Sequence, residues 1–130
     1  MAHWSEKYVG LPYVEGEMDC AGLAREVQRR EFGRVIDLPS ERAPGLRGLH
    51  RQIEALKTTY ATPTGSPQDG DGVLMVSRGA LDHIGIYCDI GGEPWVLHAM
   101  RGCAQVCLHR LRDLDGLNLT VEGFYQWLEN

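Results

Sequence analysis

The segment from Ala61 to Gly72 reads Ala-Thr-Pro-Thr-Gly-Ser-Pro-Gln-Asp-Gly-Asp-Gly and divides the chain in two. So much Gly, Pro and short polar residue in one place predicts a loop. Before it, apolar residues recur at helical spacing; after it, they alternate as in strands. Elements segregated in this way predict an α+β fold, because alternating β-α-β units would interleave the two patterns. The 130 residues are expected to form a single domain, 1–130, large enough for a core that needs no metal or disulfide staple. There is no internal repeat, and no linker long enough to split the chain.

A helix is predicted over 20–32. Asp19 is a good N-cap, since its carboxylate can accept a free N–H of the first turn. Cys20, Leu23, Ala24 and Val27 share one face, whereas Arg25, Glu26, Gln28, Arg29 and Arg30 fall elsewhere. Gly33 can adopt the left-handed backbone that ends a helix. A second helix is predicted over 46–57, with Leu46, Leu49, Ile53 and Leu56 as its stripe. The segment 8–14 is expected to be extended or irregular. Strands are predicted at 73–77, 83–89, 94–100, 105–110 and 121–127, with Gly91-Gly92 as a hairpin turn between the second and third.

Charge removes several classes of function. The net charge of −5 offers no basic field for nucleic acid or anionic lipid, so neither nucleic acid nor membrane is expected as a partner. Arg25, Arg29 and Arg30 read as a solvated helix face. No run approaches the ~20 apolar residues of a membrane span. The opening Met-Ala-His-Trp-Ser-Glu-Lys lacks a basic start and an apolar run. No secretory signal is therefore expected, and synthesis should begin in the cytoplasm. The four cysteines, Cys20, Cys88, Cys103 and Cys107, are irregularly spaced, which argues against a disulfide framework. A zinc site of Cys103 and Cys107 with His98 or His109 is disfavoured: on one strand the two thiols would lie about 13 Å apart, too far for ligands of one tetrahedral ion. No cofactor or metal is expected.

Cys20 carries the chemistry. A thiol in the first turn of a helix sits at the positive end of the macrodipole, where the thiolate, the reactive form, is favoured. Its own N–H can help hold a developing oxyanion, and Ala21 and Gly22 leave room for a substrate carbonyl. The bland alternative is a small apolar side chain on the buried helix face. The histidines weigh against it. With a two-residue turn at Gly91-Gly92, His83 falls opposite Met100 and His98 opposite Gly85, so the rings are diagonal neighbours on one face. A turn at Ile90-Gly91 would pair them directly, and a three-residue turn would separate them; the sequence leaves all three open. Gly85, on the face of His83, is expected to leave a gap for a helix or substrate. A thiolate–imidazolium pair supplies the nucleophile and later the proton for a leaving amine. His98 can then accept from the His83 ring and hold its tautomer. His3, His50 and His109 read as structural.

Three segments resemble the NlpC-type cell-wall peptidases, a papain-like family of bacteria and their phages. They are Gly10-Leu11-Pro12-Tyr13-Val14-Glu15-Gly16 with Asp19-Cys20-Ala21-Gly22-Leu23, then Gly70-Asp71-Gly72-Val73-Leu74 with Asp82-His83-Ile84-Gly85-Ile86-Tyr87, then Val96-Leu97-His98-Ala99. The resemblance implies a cysteine-bearing helix packed on a small antiparallel sheet. It implies Cys20 as nucleophile, His83 as base, His98 as orienting residue and Tyr13 beside the oxyanion. The implied reaction is hydrolysis of amide bonds in peptidoglycan stem peptides. Two departures stand out: Ala21 replaces the serine common after the nucleophile, and Glu15 and Glu17 lie where glycine and aromatics are usual. The ending Val121-Glu122-Gly123-Phe124-Tyr125-Gln126-Trp127 resembles the phage-tail branch, which implies tail proteins as partners and location in a virion. The rivals are a non-catalytic tail or assembly protein on the same fold, and a related amidase or acyltransferase sharing the acyl-enzyme step.

Overall fold

The first long helix begins and ends where local chemistry dictates. Asp19 is its N-cap: Oδ1 accepts the Gly22 N–H at 2.8 Å and Oδ2 the Gly16 N–H at 2.9 Å. Fourteen residues later Gly33 takes φ 64°, and its N–H closes the last turn on the Gln28 carbonyl. This is α1, Cys20–Phe32. The computed structural model describes residues 2–38, 45–77 and 79–128, less the side chain of Leu46. Leu23, Ala24 and Val27 are buried, and each buried Leu or Val contributes about 1.5–3 kcal/mol.

Six strands follow: β1 Ala61–Thr64, β2 Gly72–Ser77, β3 Ala80–Ile90, β4 Glu93–Met100, β5 Gln105–Arg110 and β6 Thr120–Trp127. They form one antiparallel sheet in the order β1-β6-β2-β3-β4-β5. The helix α2, Gly45–Glu54, and α1 pack on one face, where Leu23, Val27, Leu49, Ile53, Ile86 and Leu97 share a core. The other face carries a smaller cluster of Val73, Met75, Val96, Leu114 and Leu119, covered by a 3-10 segment at Leu111–Leu117. This is the α+β architecture expected, with the cysteine-bearing helix on an antiparallel sheet.

Three details differ from the sequence reading. The stretch predicted as loop opens with a strand, because Ala61–Thr64 pairs with Phe124–Trp127 at the sheet edge. The second helix stops at Glu54, and a π-helical turn, Leu56–Tyr60, carries the chain into β1. Leu49, Ile53 and Leu56 are buried as expected; the side chain of Leu46 lies outside the described residues. Gln28, off the apolar stripe in the sequence reading, is fully buried. Its Nε2 donates to the Gly70 carbonyl at 2.7 Å, and the Trp127 indole donates to the same oxygen at 3.0 Å. One carbonyl thus ties α1 to β6. Gly70 has φ 93°, and a Cβ there would lie 2.6 Å from the Phe32 ring.

The Gly91-Gly92 turn has two residues, with Ile90 opposite Glu93, and both glycines have positive φ, as a type I′ turn requires. From there β3 and β4 stay paired only as far as Ile86–Leu97. Beyond that point β3 pairs with β2 and β4 with β5. A bulge at Asp82 sits in the β2–β3 pairing, between the Met75–His83 and Val76–Leu81 partners. Bulges re-aim side chains beside functional sites.

Candidate active site

The cleft lies where β3 and β4 part. Its volume is about 280 Å³, and Tyr13, Cys20, Asp82, His83, Met100 and Asn118 are among the residues lining it. Cys20 enters from the first turn of α1, 7 % exposed. The turn is built with no slack: a Cβ on Gly22 would lie 2.0 Å from the Glu17 carbonyl oxygen. Tyr13 is held from the other side. Its N–H donates to the Ala104 carbonyl at 2.9 Å, and the Gly10 N–H donates to Val106 at 2.8 Å.

His83 lines the cleft, and its Nε2 lies 2.8 Å from Nδ1 of His98. The diagonal arrangement allowed by a Gly91-Gly92 turn is thus the one observed, although the backbones have separated at that level. His98 is fully buried. Burial first, then the neighbouring imidazoles of His83 and His109, push its pKa down to about 2, so it is neutral. Its second nitrogen, Nε2, lies 2.9 Å from Nδ1 of His109. His109 was read as structural, yet it extends the row of rings. The available signal was its place two residues beyond Cys107, the β5 partner of His98.

Asp82, the bulged residue, is 6 % exposed. Its Oδ2 accepts from the Ser77 hydroxyl at 2.9 Å, while Oδ1 has no hydrogen-bond partner among the described residues. The sequence reading had no role for it. The gap expected at Gly85 is not a gap: a Cβ there would lie 2.4 Å from Val96 Cγ1 and 2.8 Å from Met75 Cε. The glycine lets the second core close behind the histidines.

The other thiols are placed differently. Cys88 is sealed in β3, and burial pushes its pKa up to about 12. Cys103 lies in the 3-10 turn Arg101–Cys103, and Ala104 takes a left-handed conformation (φ 58°) that folds the chain back. The Cys107 thiol therefore lies within hydrogen-bonding reach of Cys103, and burial together with that neighbour raises its pKa. The expected separation of about 13 Å is wrong, because it assumed a continuous strand. Among the described residues no group of three or more His, Cys, Asp or Glu is arranged to hold a metal ion.

The NlpC/P60 family matches residues 10–113, from the Tyr13 segment to the end of the histidine strands. The chain belongs to the NlpC/P60 family. Among solved structures it is similar to the NlpC/p60 domain of peptidoglycan hydrolase SagA, with a TM-score of 0.56 and 21 % identity. That likeness covers 94 % of this chain and 92 % of the other, and it concerns the fold. No curated protein sequence matches the chain.

Proposed function

We propose that this NlpC/P60 domain is a cysteine peptidase that hydrolyses amide bonds in peptidoglycan stem peptides. Cys20 is the nucleophile, His83 the base, His98 the orienting residue, and Tyr13 a donor to the oxyanion. One observation carries the reading: a thiol at a helix N-terminus and an imidazole line one cleft, and that imidazole is backed by a buried neutral ring 2.8 Å away. The SagA domain belongs to a peptidoglycan hydrolase, which supports the choice of substrate.

The steps follow from the proton positions. His83 Nε2 faces His98, so proton exchange with the sulfur falls to Nδ1. Nδ1 takes the thiol proton, and Sγ of Cys20 attacks the carbonyl carbon. The Cys20 N–H and the Tyr13 hydroxyl hold the oxyanion. The C–N bond breaks as the His83 imidazolium returns its proton to the amine, and water then releases the acyl group with His83 as base.

Mass spectrometry of muropeptides after digestion tests this. New peptide ends from the wild type, and none from Cys20→Ala of unchanged fold, are expected. Equal digestion by Cys20→Ala overturns it. Cleavage of the glycan–peptide link would favour the amidase. Association with a phage tail is the further part of the proposal and rests on the resemblance of Val121–Trp127. Detection of the chain in purified virions supports that part, and its absence from them removes it.

A further inference from the structure

The row of rings does not end at the orienting residue. His98 has two ring nitrogens, and both are engaged: Nδ1 at 2.8 Å from His83 and Nε2 at 2.9 Å from His109. The ring centroids are 5.0 and 5.1 Å apart, and both pairs are steeply tilted, at 67° and 70°. Such edge-on approaches aim nitrogen at nitrogen. A neutral imidazole carries one N–H and one lone pair. His98 therefore donates at one end of the row and accepts at the other, and something must set which.

The peptidase reading fixes the direction it needs. For His83 to take the thiol proton at Nδ1, its own proton must sit on Nε2 and be donated to His98 Nδ1. His98 must then carry its proton on Nε2 and find an acceptor there. A buried N–H without one costs about 1–3 kcal/mol. The reverse direction puts a proton on His98 Nδ1 and turns His83 into an acceptor at Nε2. Its proton then occupies Nδ1, and the base is lost.

We propose that His109 is a positioning residue: its Nδ1 lone pair holds the proton of His98 on Nε2 and, through His98, keeps His83 in the tautomer that can accept from Cys20. The proposal rests on the peptidase reading for its purpose, but not for its test. β5 supplies the geometry: Cys107 is opposite His98 and His109 opposite Val96, so His109 meets the far side of the buried ring from the neighbouring strand. In an asparagine side chain the amide oxygen takes roughly the place of imidazole Nδ1, so His109→Asn keeps the acceptor. His109→Leu keeps bulk and removes it.

The first measurement is the 15N spectrum of the histidine rings in the wild type at neutral pH. His98 protonated on Nε2, coupled to an unprotonated Nδ1 of His109, is expected. A proton on His98 Nδ1 overturns the proposal whatever the protein cleaves. The variants follow, with circular dichroism to confirm the fold. His109→Leu is expected to move the His98 proton to Nδ1, slow alkylation of Cys20 near neutral pH, and lower kcat about 10- to 100-fold with KM little changed. His109→Asn is expected to restore each readout to within about threefold of wild type, on the same reasoning. Unchanged tautomer and kcat in a folded His109→Leu overturn it, as does an equal loss in both variants. A wild type that leaves muropeptides intact but shows the tautomer and alkylation changes would sink the choice of substrate and leave His109 its role.

Discussion

Two places in this fold bury a cysteine, and they make opposite things of it. Toward the end of β3, Cys88 is surrounded by core side chains, and its thiol is pushed up to about 12 by burial. At the first turn of α1, Cys20 is nearly as enclosed, at 7 % exposed, but it opens on a cleft shared with His83 and Tyr13. The difference lies in the company each keeps. The Cys88 thiol meets core side chains, the Ser5 hydroxyl and backbone carbonyls, and no cation or helix dipole that would favour its thiolate. A helix start offers a dipole and unpaired donors. Burial alone therefore says little about reactivity; the secondary-structure position says more.

The contrast can be broken most directly by replacing each thiol. Cys20→Ala is expected to cut kcat more than about 10⁴-fold. Cys88→Ala should leave turnover within about threefold and lower stability by about 1–2 kcal/mol, read from urea unfolding. Activity lost in both, with stability kept, would end the distinction. Alkylation sharpens it next. Iodoacetamide at pH 7 should modify Cys20 about 10³-fold faster than Cys88, because a thiol held protonated and out of reach does not react. Peptide mapping gives the ratio, and comparable rates would show β3 opening.

Glycine substitutions compare the rigidity of the two places. Gly22→Ala drives a methyl into the Glu17 carbonyl oxygen and should cost about 3 kcal/mol or more. Gly85→Ala meets the tips of Val96 and Met75, which can turn aside, and should cost about 1–2 kcal/mol. Equal midpoint shifts would contradict this ranking. The last comparison is one of pH. His98 is neutral in the fold down to about 2, while in the unfolded chain it takes a proton near 6.5. Between those values the unfolded state binds more protons, so stability rises with pH and falls on acidification below about 6.5. The slope from this group is at most about 1.4 kcal/mol per pH unit. Urea midpoints at pH 7 and pH 5 give it, and His98→Asn should flatten it.

What the sequence made legible was local. The Asp19 cap, the Gly33 stop and the two-glycine hairpin each depend on a few adjacent residues, and each was found where expected. The meeting of His83 with His98 was one of three outcomes left open, and the two-residue turn, which sets the register for both, decides among them. Most of the failures needed a partner far along the chain. β1 is a strand only because β6 lies beside it; Pro63 and the following Gly and Ser read as loop. Gln28 is polar and looks solvated until Gly70 supplies its carbonyl. His109 required a second register, β4 on β5, and the proximity of Cys103 to Cys107 required the left-handed Ala104. Asp82 gave no sign, since a bulge is a mismatch between two strands.

The main-chain bonds that Gly10, Leu11 and Tyr13 make with Ala104 and Val106 do more than steady a tyrosine. They occupy an outer border of the sheet, while at the opposite border Pro63 in β1 lacks an N–H to offer a newcomer. Neither margin is a ready template for another chain to add a strand. Cutting away the residues before Met18 would uncover the start of the β5 margin at Val106 as well as take Tyr13 from the cleft, and the bared backbone would invite a strand from a second copy.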